Sequence, residues 1–141
     1  MTKLNVYLNF PGNAEEAFDF YRSVFQGGFS SLVRFEDALM EDASVANEDR
    51  RKLMHIALPI GNDGLMGSDA PASMGFSVTF GNHVHFSVHA DSKEEADRLF
   101  RALAEGGSVG TPIADQSWGD YWGSLTDRFG VQWMVSYSYP R

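Results

Sequence analysis

The feature that most constrains the fold of this chain is an internal repeat with an offset of 79 residues. Glu15-Glu16-Ala17 recurs as Glu94-Glu95-Ala96, and the same offset relates the apolar helix positions after them and two glycine pairs, Gly27-Gly28 and Gly106-Gly107. Because many positions match, the repeat indicates duplication of one structural unit rather than a chance motif. Each half predicts a strand, a helix and three further strands.

The first half begins with a strand and an amphipathic helix. Leu4 to Phe10 alternates apolar and polar residues, which is typical of a strand with one buried face. Asn13 is the predicted N-cap of a helix over 14–25, which Gly27-Gly28 ends. The predicted apolar stripe of this helix consists of Ala17, Phe20, Tyr21 and Val24.

The rest of the first half predicts a strand over 29–35 and a hairpin over 53–68 that turns at Asn62-Asp63-Gly64. Between them, the segment from Glu36 to Arg51 is acidic and has no clear period, so it predicts a long loop or flap. Residues 70–82 are rich in Gly, Ala, Pro and Ser and read as a linker.

The second half opens on a strand predicted over 83–89, which carries three of the four histidines. Strict alternation places His83, His85, Ser87 and His89 on one face and Val84, Phe86 and Val88 on the other. The polar row either lines a ligand or metal cavity or faces solvent. Asp91-Ser92 caps a helix over 93–105, and the following elements are a strand over 108–113, a loop over 115–120 and a hairpin over 121–138 turning at 127–130.

These elements predict an α+β fold made of two tandem βαβββ modules. Each helix covers the apolar face of its own sheet, and the curved mixed or antiparallel sheets enclose a cavity with the helices on the outer faces. We expect one domain over 1–141, with the first module at about 3–69, the linker at about 70–82 and the second module at about 83–139. The opposite faces carry polar and aromatic residues, a composition that favours a ligand cavity, with Tyr7, Trp118, Trp122 and Trp133 as wall candidates.

Composition excludes several functions. The formal net charge of −8 disfavours nucleic acid and anionic membranes as partners, because phosphate binding requires clustered Lys and Arg. The chain has no cysteine, so a disulfide framework, a thiolate zinc site and a cysteine nucleophile are excluded.

We expect a cytoplasmic protein, since no signal-peptide pattern or long apolar run is present. Gly12, Gly64 and Gly130 are turn glycines outside any phosphate-binding loop, and no methyltransferase-type glycine-rich turn is present, so no nucleotide or S-adenosylmethionine cofactor is expected.

The chain resembles the vicinal-oxygen-chelate superfamily, which includes glyoxalase I, extradiol dioxygenases, fosfomycin-resistance enzymes and bleomycin-resistance proteins. Within it, the chain resembles the PhnB-like branch, and the segments that carry the resemblance are 8–17, 54–61, 65–69, 104–107, 117–119 and 127–134. They span nearly the whole chain in the expected order. The resemblance implies a glyoxalase-like fold and a homodimer, and it implies little about chemistry because this branch is poorly defined in function.

The resemblance also implies four positions that hold a divalent metal in the superfamily's enzymes. In this chain they fall on Asn5, on Gly67 or Ser68, on His83 (His85 if the register slips by two) and on Met134. Asparagine is a weak neutral ligand, and glycine and methionine offer nothing to a hard cation. A metal would therefore depend on His83 with unconventional partners.

Two functions stay open at this stage. The first is a cofactor-free protein that binds a small, cationic or aromatic molecule in an aromatic-lined cavity, with no nucleic acid or membrane partner. The alternative is a metal-dependent glyoxalase-type lyase or isomerase, or a dioxygenase, using His83 or His85. His85 and His89 are read as strand-surface or cavity-wall residues rather than general bases, and His55 is read as a structural residue on the polar face of its strand. The candidates for the ligand cavity are Asn5, Tyr7, His85, Trp118, Tyr121 and Trp122.

Overall fold

A computed structural model describes residues 2–38 and 46–140, and the chain divides into two compact units, Met1–Thr79 and Phe80–Arg141. The first unit contains β1 (Val6–Phe10), α1 (Ala14–Phe25), β2 (Ser31–Arg34), α2 (Phe35–Ala38), β3 (Leu53–Ile60) and β4 (Asp63–Asp69). The second unit contains β5 (Phe86–His89), α3 (Lys93–Ala104), β6 (Ser108–Asp115), β7 (Asp120–Thr126) and β8 (Gln132–Ser138).

The two units share one topology. Their four-stranded sheets have the orders β1-β4-β3-β2 and β5-β8-β7-β6. In each, the first strand pairs in parallel with the last and the other pairs are antiparallel. The two long helices have 12 residues each and begin at Ala14 and Lys93, which reproduces the sequence offset. The predicted duplication and the α+β class of two mixed four-stranded sheets are confirmed.

The helix α1 packs on one face of the first sheet through a stripe that differs from the predicted one. Phe18 is fully buried, whereas Phe20 is only half-buried. The reason lies in β4, where a Cβ atom at Gly67 would approach the Phe18 Cε1 atom to 2.8 Å. Gly67 therefore makes room for the Phe18 ring, and the stripe consists of Ala14, Ala17, Phe18, Tyr21 and Val24.

The helix ends also correct two predictions. Asn13 makes no side-chain capping bond, and the first amide of α1, that of Ala14, donates instead to Asp69 Oδ1 at 2.9 Å. Asp69 Oδ2 accepts from the Leu53 amide at 2.9 Å, so one buried carboxylate ties α1 to the start of β3. At the other end, Gln26 rather than a glycine adopts the left-handed conformation, with φ of 57°. In α3 the predicted cap is confirmed, because Ser92 Oγ accepts from the Glu95 amide at 3.0 Å.

This difference between the two helices gives a matched pair of variants. We expect Ser92→Ala to lower the free energy of unfolding by about 1 kcal/mol, because the Glu95 amide loses its acceptor. Asn13→Ala should change it by less than about 0.5 kcal/mol, because the Asn13 side chain makes no cap bond. Urea unfolding followed by circular dichroism measures both, and an equal loss in the two variants would contradict the assignment of the caps.

The segment predicted as a long loop from Glu36 to Arg51 is in part regular structure. Phe35–Ala38 forms α2, and Asn47–Asp49 forms a 3-10 turn, whereas residues 39–45 lie outside the described residues. Asp49 is buried, binds Lys52 Nζ at 2.9 Å and accepts a hydrogen bond from Ser73 Oγ. These two contacts lower the pKa of Asp49 below its ordinary value, the Ser73 bond contributing most. The loop prediction is therefore wrong for the described part of this segment.

Two smaller boundaries also move. The first hairpin turns at Gly61 and Asn62, because Ile60 pairs with Asp63 and Pro59 with Gly64. The predicted linker contains a second 3-10 turn, Ala72–Met74.

None of the helices in residues 2–38 and 46–140 is long and apolar enough to cross a membrane.

Candidate functional site

The second sheet has one face covered by α3 and an opposite face that carries mostly polar side chains. Leu125, Trp133 and Val135 are buried on the side of α3, whose own buried residues are Ala96, Leu99, Phe100 and Leu103. The side opposite α3 carries His89, Trp122, Ser124, Met134 and Ser136, and we call it the polar face. Strand alternation decides this division, since successive residues of a strand point to opposite faces. Trp133, a predicted wall residue of the cavity, therefore belongs to the core.

Two tryptophans pack together at one end of the polar face. The ring centroids of Trp118 and Trp122 lie 5.6 Å apart in an edge-to-face arrangement. Trp122 lies on β7, and Trp118 lies in the turn before that strand with 56% of its surface exposed. An exposed indole supported by a second indole is a surface on which an aromatic or cationic group can stack.

A carboxylate lies beside this tryptophan pair. Asp120 shares the face of Trp122, two residues earlier on β7. Its Oδ1 atom is buried and accepts no hydrogen bond from the described residues. A buried oxygen without a donor is costly, so this atom favours a ligand that brings a donor or a positive charge. By contrast, the nearby Asp115 accepts a hydrogen bond from the Tyr139 hydroxyl, which raises the pKa of Tyr139 to about 12.

The turn that carries Trp118 is held by a compact set of hydrogen bonds. The Gln116 amide donates to the Asp120 carbonyl at 2.8 Å, and its side-chain Nε2 donates to the carbonyls of Ala114 and Trp122, each at 3.1 Å. Gly119 closes the turn with φ of 103°, a conformation that favours glycine. The tryptophans and Asp120 are therefore pre-positioned without a ligand.

Tyr121 does not belong to this wall, although the sequence placed it among the cavity candidates. It alternates with Trp122 and points to α3, where its hydroxyl donates to Asp97 and its ring lies 4.9 Å from the Lys93 ammonium. The Asp97 hydrogen bond, with burial as the smaller contribution, raises the pKa of Tyr121 to about 12. The period-two pattern Tyr121-Gly123-Leu125 against Trp122-Ser124-Thr126 was the signal that separates the two faces.

Next to Trp122 on the polar face lies a serine–histidine pair. The strand registers place Ser136 opposite Trp122 on one side and opposite His89 on the other. Ser136 is buried, and its Oγ lies 3.0 Å from His89 Nδ1, whereas the His89 side chain is exposed. Sequence patterns named His89 but missed Ser136, because their contact depends on the parallel pairing of β5 with β8.

The other histidines occupy different positions. The strand predicted from His83 begins only at Phe86, so His83 and His85 lie before β5 and are exposed. The reason is that β8, the strand that pairs with β5, begins only at Gln132. Before this point the Gln132 side chain donates to the Val84 carbonyl at 2.9 Å, so the Val84 carbonyl accepts a side-chain bond instead of a backbone bond from β8. In the first unit, the rings of His55 and Tyr7 form a tilted pair with centroids 6.0 Å apart, and Asn5 lies exposed before β1.

The residues at the four positions implied for a metal do not fit a metal ion. Gly67 faces α1, where even a Cβ atom would meet Phe18, so only Ser68 of that pair lies on the opposite side of the first sheet. In the second unit, His83 precedes the strand and Met134 offers a thioether. Within residues 2–38 and 46–140, no group of three or more His, Cys, Asp or Glu side chains could hold a metal ion.

Comparison with known proteins gives consistent matches over nearly the whole chain. A model of the family described as 3-demethylubiquinone-9 3-methyltransferase matches residues 2–136. The structure of protein PA1353 from Pseudomonas aeruginosa is 36% identical, covers 98% of each chain and has a TM-score of 0.84. A Bacillus cereus structure named as a putative 3-demethylubiquinone-9 3-methyltransferase, PhnB protein, is 26% identical over 97% of this chain and 100% of its own, with a TM-score of 0.79.

A more distant structure shares the fold. It is a glyoxalase/bleomycin resistance protein/dioxygenase family enzyme from Burkholderia phytofirmans, 18% identical over 94% of this chain and 97% of its own, with a TM-score of 0.61. At this identity the similarity concerns the fold alone. The expected glyoxalase-like architecture is confirmed by this match.

The methyltransferase description implies a methyl-donor cofactor, which the strand-to-helix turns do not fit. Nucleotide-type cofactors use an open, glycine-rich turn with free amides at the helix start. After β1 the Ala14 amide is already bound to Asp69, and before α3 the Glu95 amide is bound to Ser92. These turns are closed by the protein's own side chains.

Proposed function

The chain belongs to this PhnB-like family of the vicinal-oxygen-chelate superfamily, and we propose that it binds a small aromatic cation on the polar face of its second sheet. The binding needs no metal and no organic cofactor. The observation that carries the proposal is the buried Oδ1 of Asp120, which accepts no hydrogen bond from residues 2–38 and 46–140 and lies beside the Trp118–Trp122 pair.

Three properties of this site support a cation over a neutral or anionic ligand. The Asp120 oxygen accepts no bond from the described residues, so an ammonium group would supply the missing donor. Indole faces attract cations through their quadrupole. The net charge of −8 also raises the local concentration of positive ligands and repels anions.

The alternative metal-dependent lyase, isomerase or dioxygenase has His83 or His85 as its centre. Both are exposed and precede β5, and no described cluster of ligands surrounds either. The homodimer expected from the family and the cytoplasmic location expected from the sequence stay predictions. Light scattering of the purified protein tests the first and fractionation of its host cells tests the second.

Two isosteric probes test the proposed function. Phenethylamine and 2-phenylethanol have the same ring and arm, but only the amine is positively charged at neutral pH. We expect the amine to bind at least tenfold more tightly in calorimetry, because a hydrogen bond to a charged group contributes about 1.5–3 kcal/mol. The titrations contain EDTA, so that a metal-dependent site is emptied.

The carboxylate variant makes the test specific. Asp120→Asn should reduce the amine's preference to less than about threefold, since the amide keeps the shape and loses the charge. Asp63→Asn is the matched control, because Asp63 is an exposed carboxylate in the first-unit hairpin. Equal binding of the two probes to the unmodified protein would contradict the proposal. Binding that EDTA abolishes and a divalent metal restores would favour the metal-dependent alternative.

A further inference from the structure

The polar face continues beyond the tryptophans into the Ser136–His89 pair. In this row, Trp122 on β7, Ser136 on β8 and His89 on β5 lie side by side, with the smallest side chain in the middle. Two strand spacings of about 4.8 Å separate the backbones of Trp122 and His89, or about 10 Å in all. A single aromatic ring stacked on Trp122 therefore extends toward His89.

Ser136 orients the imidazole. Its buried Oγ holds His89 Nδ1 at 3.0 Å, and the other ring nitrogen, Nε2, has no hydrogen-bond partner among residues 2–38 and 46–140. A histidine with one ring nitrogen bound to the protein keeps the other available in a fixed direction. The Nε2 atom of this exposed side chain is thus a polar group two strands away from the strand of Asp120.

We propose that the ligand is an aromatic amine with a ring hydroxyl at the end opposite its ammonium group, and that His89 Nε2 binds this hydroxyl. The inference rests on the proposed function, because it needs the ammonium group at Asp120. Asp120 lies about 7 Å along β7 from Trp122, and His89 lies about 10 Å from Trp122 across the sheet, so the backbones of the two polar residues are about 12 Å apart on a diagonal of the polar face. His89 is then a residue that determines specificity, and Ser136 is a positioning residue.

Tyramine and phenethylamine differ only by the ring hydroxyl and test this inference directly. We expect tyramine to bind the unmodified protein about fivefold more tightly, the factor that corresponds to one neutral hydrogen bond of about 1 kcal/mol. His89→Phe keeps a ring at this position and removes both nitrogens, so it should bring the affinity ratio of the two amines to about one. Ser136→Ala should lower the same ratio, because the freed imidazole loses its fixed orientation.

The affinity ratio separates this role from a structural one, because a general loss of fold weakens both amines alike. His55→Phe is the matched control, since His55 lies beside Tyr7 in the first unit, and it should leave the ratio at about fivefold. Equal affinity of the two amines for the unmodified protein, or a ratio that His89→Phe leaves unchanged, overturns the inference and leaves the proposed function standing. Failure of both amines to bind overturns both.

Discussion

Replacing Asp127 by alanine is expected to lower the free energy of unfolding by about 3–4 kcal/mol, a larger loss than that of either helix-cap variant. Asp127 is buried with 3% exposure in the turn between β7 and β8. Its Oδ1 accepts from the amides of Phe129 at 2.8 Å and Val131 at 3.1 Å, and its Oδ2 accepts from Trp133 Nε1 at 2.9 Å. Alanine leaves the buried indole N–H and the turn amides without these acceptors, and each such group is costly.

Urea unfolding measures this loss, and Asp127→Asn refines it. The asparagine side-chain carbonyl can still accept a hydrogen bond, whereas its NH₂ group cannot. We therefore expect an intermediate loss of about 1–2 kcal/mol in the free energy of unfolding. Asp63→Asn serves again as the control, with a change below about 0.5 kcal/mol. A loss under about 1 kcal/mol in Asp127→Ala would contradict the assignment of this carboxylate as the anchor of the turn.

The second large effect concerns binding. We expect Trp122→Ala to weaken phenethylamine binding about thirtyfold, or ~2 kcal/mol, because the stacking surface and the support for Trp118 disappear together. Trp118→Ala should have a smaller effect, since Trp122 remains on the strand. Calorimetry measures both losses.

Tyr121→Phe is the matched control for this variant, because Tyr121 neighbours Trp122 and points to α3. It should bind the amine as tightly as the unmodified protein, although it loses the bond to Asp97 and some stability. An equal loss of affinity in Tyr121→Phe and Trp122→Ala would mean that the amine binds elsewhere or that the strand as a whole is disturbed.

The sequence predicts the regular part of this fold well, because that part depends on local patterns repeated twice. The bounds of α1 match the prediction, and α3 begins at the predicted Lys93. The hairpin over β3 and β4 follows from two apolar runs around a short turn, although the turn moved by one residue. Each of these features is set by residues close together in the chain.

The errors arise where distant residues decide the outcome. Asn13 is a good local cap, yet Asp69, 55 positions away, takes the Ala14 amide. The strand predicted from His83 starts at Phe86, because its parallel partner β8 begins only at Gln132. Neither result can be read from the pattern around Asn13 or His83 alone.

The candidate site was predicted in part. Trp118 and Trp122 were named from the sequence and lie in contact, and Asp120 lies at the end of the loop predicted over 115–120. The pair His89–Ser136 was missed because residues 47 positions apart in sequence become neighbours only through strand pairing. Tyr121 was wrongly grouped with the tryptophans, although alternation along β7 was sufficient to separate them.

Binding of an aromatic cation on Trp118 and Trp122 beside Asp120 can be followed through the indole N–H signals in a ¹H–¹⁵N spectrum. The chain has 3 tryptophans, and Trp133 is an internal control because its buried N–H donates to Asp127. On titration with phenethylamine, we expect the Trp118 and Trp122 signals to shift and the Trp133 signal to stay in place. Shifts in Trp133 alone, or in none of the three at saturating amine, would mean that the amine does not bind at this site.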